Sequence, residues 1–227
     1  MQAIIEPIAH MRSDFPTKFG IPRQSGLAEN LRSTIVFEPK YRNSDALRGL
    51  EDFSHLWLIW QFSEAVRNEW TPTVRPPRLG GNTRMGVFAT RSPFRPNSLG
   101  LSCVRIIGLE QTVENGTVIH DAGADLMDGT PIFDIKPYIP YSDAHPDALG
   151  GFTATADDFI LQVDFPAELL QLLPEDKRQA AIEVLSHDPR PSYQRSAERI
   201  YGLPFAGFDI RFSVNEKTLF VKEISKL

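Results

Sequence analysis

The sequence predicts a mainly β protein: a barrel or sandwich over its first 150 residues, then a smaller α+β domain over residues 151–227. Three observations carry this. Short β-branched and aromatic runs recur between Gly, Pro, Asn and Asp across the first two thirds, with few helical patterns among them. A polar, Gly-rich stretch, "DAHPDALGG" from Asp143 to Gly151, then changes the pattern. Beyond it, helical segments precede a final pair of strand-like runs.

Taken in order, the predicted strands are "IIEPIAHM", "STIVFEP", "HLWLIWQF", "MGVFAT", "LGLSCVRIIGL", "GTVIHDAGADL" and "PIFDIKPYI". One short helix is expected at "SDALRGL", Ser44 to Leu50, with Ser44 or Asp45 capping its start. In the second domain, "PAELLQLL" and "PEDKRQAAIEVLS" read as helices, because each opens with Pro and an acidic first turn. Ala181, Ile182 and Leu185 give the second of these an apolar face. "FDIRFSV" and "LFVKEI", joined at "NEK", read as a strand hairpin.

Composition narrows the function classes. The net charge of −5 argues against a general nucleic-acid coat, since nonspecific affinity comes from neutralising phosphates. Locally the balance reverses. Between residues 67 and 105 stand seven arginines (Arg67, Arg75, Arg78, Arg84, Arg91, Arg95, Arg105), no lysine and a single opposing Glu69, an excess of six positive charges. Arginine used throughout suits planar, two-toothed recognition of phosphate or carboxylate, although a solvated surface set is the alternative. No run reaches the roughly 18 apolar residues of a membrane span. The N-terminus lacks the pattern of a signal peptide, and Cys103 is the single cysteine. These features lead to the expectation of a cytoplasmic protein without a metal site or membrane contact.

No nucleophile elbow, Walker loop, HExxH or Rossmann GxGxxG occurs, and the five histidines have no metal-ligand spacing. Four polar segments remain. "IPRQSGL" either places Arg23 and Gln24 in a ligand site or forms a plain loop. "RSPFRPN" holds Arg91 and Arg95 on a Pro-stiffened corner, for ligand contact or to cap carbonyls. "DLMDGTPIFDIKPYIPYSD" sets Asp128, Gly129 and Thr130 in a turn before a strand on which Asp134 and Lys136 share a face. In "DPRPSY", Pro189 and Pro191 flank Arg190 directly after a helix, where one proline would suffice as a stop.

"TVRPPRLGGNTRMGVFATRSPFRPNSLGLS", "DLMDGTPIFDIKPYIPYSD" and "DPRPSY" together resemble the TrmO/TsaA-like family of tRNA methyltransferases, and "IPRQSGL" and "GLEDFSHLWLIW" look like the same family's N-terminal segments. The resemblance runs in order over nearly the whole chain. It implies an antiparallel β-barrel that binds S-adenosyl-L-methionine without a Rossmann sheet, and a homodimer with the cofactor near the subunit interface. It also implies an acceptor, N6-threonylcarbamoyladenosine at position 37 beside the anticodon of tRNA, methylated at N6. The family pattern reads Arg-Pro-Asn-Pro where Ser98 follows Asn97 here, which is expected to loosen one corner of that loop.

By this resemblance the cofactor-binding residues are Arg23, Gln24, Ser63, Glu64, Arg91, Leu101, Leu126, Met127, Asp128 and Gly129. Backbone groups around Asp128 and Gly129 would suit an adenine edge, and Arg91 a methionine carboxylate. Methyl transfer is an in-line displacement in which positioning supplies much of the catalysis. The acceptor nitrogen is urea-like, so a base or stabilising dipoles are needed, with Asp128, Asp188 and Tyr193 as candidates. Arg190 is expected to meet the threonyl carboxylate. Tyr193 either stacks on a base or packs between domains. Arg75, Arg78, Arg84, Arg95 and Arg190 are the expected RNA contacts, reaching the anticodon stem and loop. Two rivals stay open: a noncatalytic S-adenosylmethionine or nucleotide-binding regulatory module, and a methyltransferase with another acceptor.

Overall fold

The computed structural model describes residues 4–154, 160–190 and 199–227. Six antiparallel strands form a closed barrel in the order β1-β2-β7-β6-β3-β8. They are β1 (Ala9–Arg12), β2 (Arg32–Phe37), β3 (His55–Gln61), β6 (Leu99–Thr112), β7 (Gly116–Ala122) and β8 (Pro131–Pro137), with the two-stranded ribbon β4 (Thr73–Val74) and β5 (Met85–Gly86) inserted between β3 and β6. Closure is made by β1, which pairs with β2 at Ala9↔Phe37 and with β8 at Ala9↔Ile132. A closed ring leaves no barrel edge open to another chain.

Strand periodicity decides what fills the ring. In β3, Leu56, Leu58 and Trp60 point inward, while Trp57 and Ile59 face out. With Met11, Ile35, Phe37, Val104, Ile119 and Ile132 they form the barrel core. Burying side chains of this size stabilises by roughly 1.5–3 kcal/mol each. The bulkiest needs room made for it: Trp60 lies opposite Gly100, and a Cβ on Gly100 would sit 2.3 Å from Cε2 of the indole. Polar side chains share this interior. Ser102 accepts from Trp60 Nε1 at 3.0 Å, and Asp121 accepts from Ser33 Oγ at 2.6 Å.

The second core lies under a four-stranded sheet, β10-β11-β12-β9, in which β9 runs parallel to β12. Its strands are β9 (Gln162–Asp164), β10 (Tyr201–Phe205), β11 (Phe208–Asn215) and β12 (Thr218–Lys226). The helices are α1 (Pro140–Asp143), α2 (Ala167–Leu170) and α3 (Glu175–Ser186). From α3, Ala180, Ala181, Val184 and Leu185 are buried, and Pro174 stands at its N-cap. This core is not built from the C-terminal residues alone. Phe15, Ala28 and Leu31 belong to it, with the Phe15 and Phe205 rings 5.4 Å apart. Lys177 Nζ also reaches Asp14 Oδ2 at 2.7 Å, and Glu183 accepts from the Asn30 N–H at 2.8 Å. The segment 13–31 therefore straps the barrel to the second sheet.

Several expectations are corrected. Residues 44–50 form no α-helix: a 3-10 turn at Ser44–Leu47, capped by Asn43, ends before Gly49, whose left-handed conformation breaks the run. In "MGVFAT" only Met85–Gly86 is strand, and a 3-10 turn follows. The helix expected over "PAELLQLL" is a single turn. β9 and β10 went unpredicted, since β9 is three residues long and β10 carries Gly202 and Pro204. Cys103 is partly buried, on the outer barrel face.

Two outcomes follow. Gly100→Ala forces the Trp60 indole to move, so it should lower the unfolding free energy by about 1–3 kcal/mol; paired with Trp60→Leu, its cost should shrink in a double-mutant cycle of urea unfolding. Burial pushes the Asp121 carboxyl up to about 7, against the opposing hydrogen bond from Ser33 and the charges of His120 and Arg32. The folded chain then holds that proton to higher pH than the unfolded chain does. Stability should therefore be full below the ordinary carboxylate range and decline as pH rises from about 4 to about 7. Asp121→Asn should flatten that part of a urea-midpoint profile.

Candidate functional site

The strap, the corner after β5 and the turn before β8 meet at one end of the barrel. Arg91 Nη1 donates to Gln24 Oε1. Beneath this pair lies Asp125, which accepts from Ser102 Oγ at 2.5 Å and takes a backbone hydrogen bond from Ser25. Ser25 Oγ in turn accepts the Cys103 N–H at 3.2 Å, and the Gly26 N–H donates to Gly123 O at 2.8 Å. A chain of hydrogen bonds thus runs from Trp60 in the barrel core through Ser102 to Asp125. Burial raises the Asp125 carboxyl above its usual range, and the Ser102 hydrogen bond and the Arg91 charge oppose that shift.

The predicted cofactor residues divide around this centre. Gln24 and Arg91 stand at it, whereas Arg23 lines the small cavity against residues 187–190. Glu64, in the 3-10 turn Ser63–Ala65 that ends β3, faces Lys18 of the strap at 3.7 Å. Leu126 is buried, and its carbonyl accepts from Ser13 Oγ at 2.9 Å. Met127 O closes the turn by accepting from Thr130 Oγ1 at 2.7 Å. Leu101 points away, exposed on the outer barrel face. There it lines a hollow of about 370 Å³ with Trp57, Ile59, Lys136, Ser142, Asp143 and His145. Asp134 and Lys136, which share a face, pair at 3.0 Å.

The Asp128 turn is more committed than its composition implies. The Asp128 N–H donates to Phe15 O at 2.9 Å and the Gly129 N–H to Met11 O at 2.8 Å. The Asp128 carboxylate takes the Ser13 N–H at 3.1 Å and stands 3.6 Å from Arg12 Nη1. Both N–H groups expected to meet an adenine edge are thus already paired, and the carboxylate is engaged with the strap.

Asp188 and Arg190 face the strap from the other side. Arg190 donates to both carboxylate oxygens of Asp188, from Nε at 2.7 Å and Nη2 at 2.9 Å. Asp188 makes this fork possible from a left-handed backbone, φ +48°, and its N–H closes the end of α3 on Leu185 O. His187 Nε2 lies 2.7 Å from Leu27 O. Between residues 187–190 and Gly20, Ile21, Pro22 and Arg23 is a cavity of about 60 Å³, too small for a nucleoside. The edge of Arg190 expected to grip a threonyl carboxylate is thus filled by its own neighbour, because an Asp two residues back reaches it first. Tyr193 lies outside the described residues, as does the side chain of Arg78.

The corner "RSPFRPN" splits its two arginines. Arg91 is exposed and reaches Gln24, whereas Arg95 turns back and donates to Thr90 O at 3.2 Å. Arg95 therefore caps a carbonyl, the plainer of its two readings. Ser98 does not loosen the corner. It is buried with φ +42°, its N–H donates to Arg95 O at 3.2 Å, and its carbonyl accepts from Phe62 N at 2.9 Å. Proline, fixed near φ −65° and lacking an N–H, cannot take this place, so the corner is turned differently from the family pattern.

Both parts of the chain match models of known families. Residues 10–144 match the tRNA-methyltransferase O N-terminal domain, and residues 159–227 match the TrmO C-terminal domain. The chain belongs to the tRNA-methyltransferase O family. It is 43% identical over 220 residues to a tRNA (adenine(37)-N6)-methyltransferase of Escherichia coli K12, covering 93% of each chain. It is 41% identical to a putative S-adenosylmethionine-dependent methyltransferase, RcsF, of Pseudomonas aeruginosa, over 92% of this chain and 91% of that one. A crystal structure of TrmO from P. aeruginosa superposes with a TM-score of 0.80 at 33% identity, covering 100% of this chain and 98% of the other.

Sequence reasoning missed Ser25, Ser102 and Asp125. Ser102 had a signal: alternation along β6 places a hydroxyl on the barrel's apolar interior, where a polar group needs a partner. Ser25 had none, because its partner Cys103 is far away in sequence.

Proposed function

We propose that this chain is an S-adenosylmethionine-dependent tRNA methyltransferase acting on N6 of the adenine at position 37, with the threonylcarbamoylated base as its acceptor. The observation that carries the reading is the meeting of Gln24, Arg91 and Asp125 at a barrel end, with the strap's preceding residues 20–23 facing residues 187–190. The family and the names of full-length relatives support it. Residues 1–150 would hold the cofactor and residues 151–227 would bring the DPRPSY motif to the acceptor, in the cytoplasm where tRNA resides.

The residues present suit the cofactor's chemistry. An exposed guanidinium at Arg91 matches a carboxylate, and the Gln24 amide and the Asp125 carboxylate offer acceptors close by. When bound, S-adenosylmethionine supplies a methyl group on a positively charged sulfur. The chain's own task is then to position and to manage charge. Arg91, held over Asp125, fixes one end of the donor, and the rigid turn 126–130 shapes the wall of the site. Arg190, held by Asp188 beside the strap, would serve the acceptor side. No group of three or more His, Cys, Asp or Glu side chains among the described residues could hold a metal ion.

A second copy of the chain fits the outer barrel face, where Trp57, Ile59 and Leu101 leave an apolar surface. Sedimentation should give twice the chain mass, and Leu101→Arg should shift it toward the monomer; a monomeric wild type would refute the dimer.

The deciding experiment is transfer of labelled methyl to two matched tRNA transcripts, one carrying N6-threonylcarbamoyladenosine and one plain adenosine. Incorporation into the modified transcript alone is expected. Incorporation into neither, with cofactor binding intact, would favour another acceptor or a regulatory module. Arg91→Ala should weaken S-adenosylmethionine binding by more than tenfold while the melting temperature holds, and unchanged affinity would remove Arg91 from the site.

A further inference from the structure

The excursion between β3 and β6, residues 62–98, carries a surface that the site described above does not use. Within it Trp70 is 49% exposed and Phe88 71% exposed, and their rings lie 5.9 Å apart at 33°. Phe94, also exposed, has the Arg67 guanidinium 3.9 Å above its ring. The backbone holding Trp70 and Phe88 together is fixed: the Val87 N–H donates to Pro72 O at 2.9 Å, and buried Val87 anchors the turn. Arg75 and Arg84 are exposed on the same excursion, with Arg84 Nη1 3.3 Å from Thr73 Oγ1 beside the β4–β5 ribbon.

Exposed aromatic rings in contact with water are unfavourable in the free chain, and a cluster of them marks a binding surface. Their company decides the ligand. An interface between proteins depletes charge at its centre, whereas here the rings alternate with guanidiniums and the tract has seven arginines against one glutamate. Unstacked RNA bases need this combination: flat apolar faces to stack on, planar cations, and positive charge for the phosphates between them.

We propose that Trp70, Phe88 and the Arg67–Phe94 pair form a stacking platform for the unstacked bases of a single-stranded RNA loop, with Arg75 and Arg84 meeting the adjoining phosphates. This deepens the tRNA reading above and names where the loop is held. It explains why the arginines of this tract are interleaved with rings.

The test is equilibrium binding of the full chain to a fluorescein-labelled RNA hairpin with a single-stranded loop, and to a fully paired duplex of the same length, across a salt series. Wild type should prefer the hairpin. Trp70→Ala and Phe88→Ala should each weaken hairpin binding about tenfold, with the salt slope unchanged, while Trp70→Phe keeps most of it. Arg84→Ala should instead lower the slope by about 0.7. As a check that needs no variant, hairpin but not duplex should quench the tryptophan fluorescence of the wild type. Wild-type hairpin binding retained by the double variant Trp70→Ala/Phe88→Ala, or equal losses on hairpin and duplex, would overturn the platform. So would a change in the sedimentation of the free double variant, which would assign the rings to contact between copies. No methyl donor is present, so failure of the methyl-transfer experiment with loop-selective binding intact would strike the catalytic reading and leave the platform standing.

Discussion

The structure depends on one residue being held from both sides. Phe15 is buried in the second core against Phe205, yet its carbonyl accepts the Asp128 N–H from the barrel turn before β8. The ring commits the strap to the C-terminal sheet, and the backbone commits it to the barrel. Around this point the strap repeats the arrangement: Leu31 packs in the second core while its carbonyl takes the Gly123 N–H, and the Asp14 carbonyl takes the Ala206 N–H. The loop carrying Arg23 and Gln24 lies inside this doubly anchored segment, so its position is fixed by two cores rather than by its own sequence.

Core packing and site chemistry are joined through the barrel interior. The Trp60 indole lies over Gly100 because only a residue without Cβ leaves the space. In that position Nε1 reaches Ser102, whose hydroxyl proton is then directed at Asp125. A buried carboxylate with a raised pKa and an exposed guanidinium near it make a polarised end to an otherwise apolar barrel. Charge elsewhere is placed more cheaply: the surface pairs Lys40 with Glu6 and Arg48 with Asp45 are exposed and contribute little.

Much of the barrel was legible because strand alternation is local. The runs assigned to β2, β3, β6, β7 and β8 were all visible as apolar or β-branched stretches between turn residues, and α3 showed its apolar face and its Pro-acidic start. The failures had physical causes. Residues 44–50 had helical composition but too short a run before Gly49 to nucleate more than 3-10 turns. Arg190 and Arg95 were read as ligand contacts, yet the structure turns them onto Asp188 and Thr90 O, nearby atoms reached only because the backbone bends. Positive φ at Asp188 and Ser98 is not readable from residue type, since non-glycine residues rarely adopt it.

By itself the sequence determined the classes of element, the clustering of arginine in one tract and the segments that carry the family resemblance, because each depends on residues close together along the chain. Tertiary structure decided which of those residues meet. Closure of the ring through β1, the recruitment of Phe15, Ala28 and Leu31 into the second core, and the Ser25–Asp125–Ser102 cluster all join positions far apart in sequence. Such contacts are held by the packing of two cores, and the packing energy that selects them is summed over both.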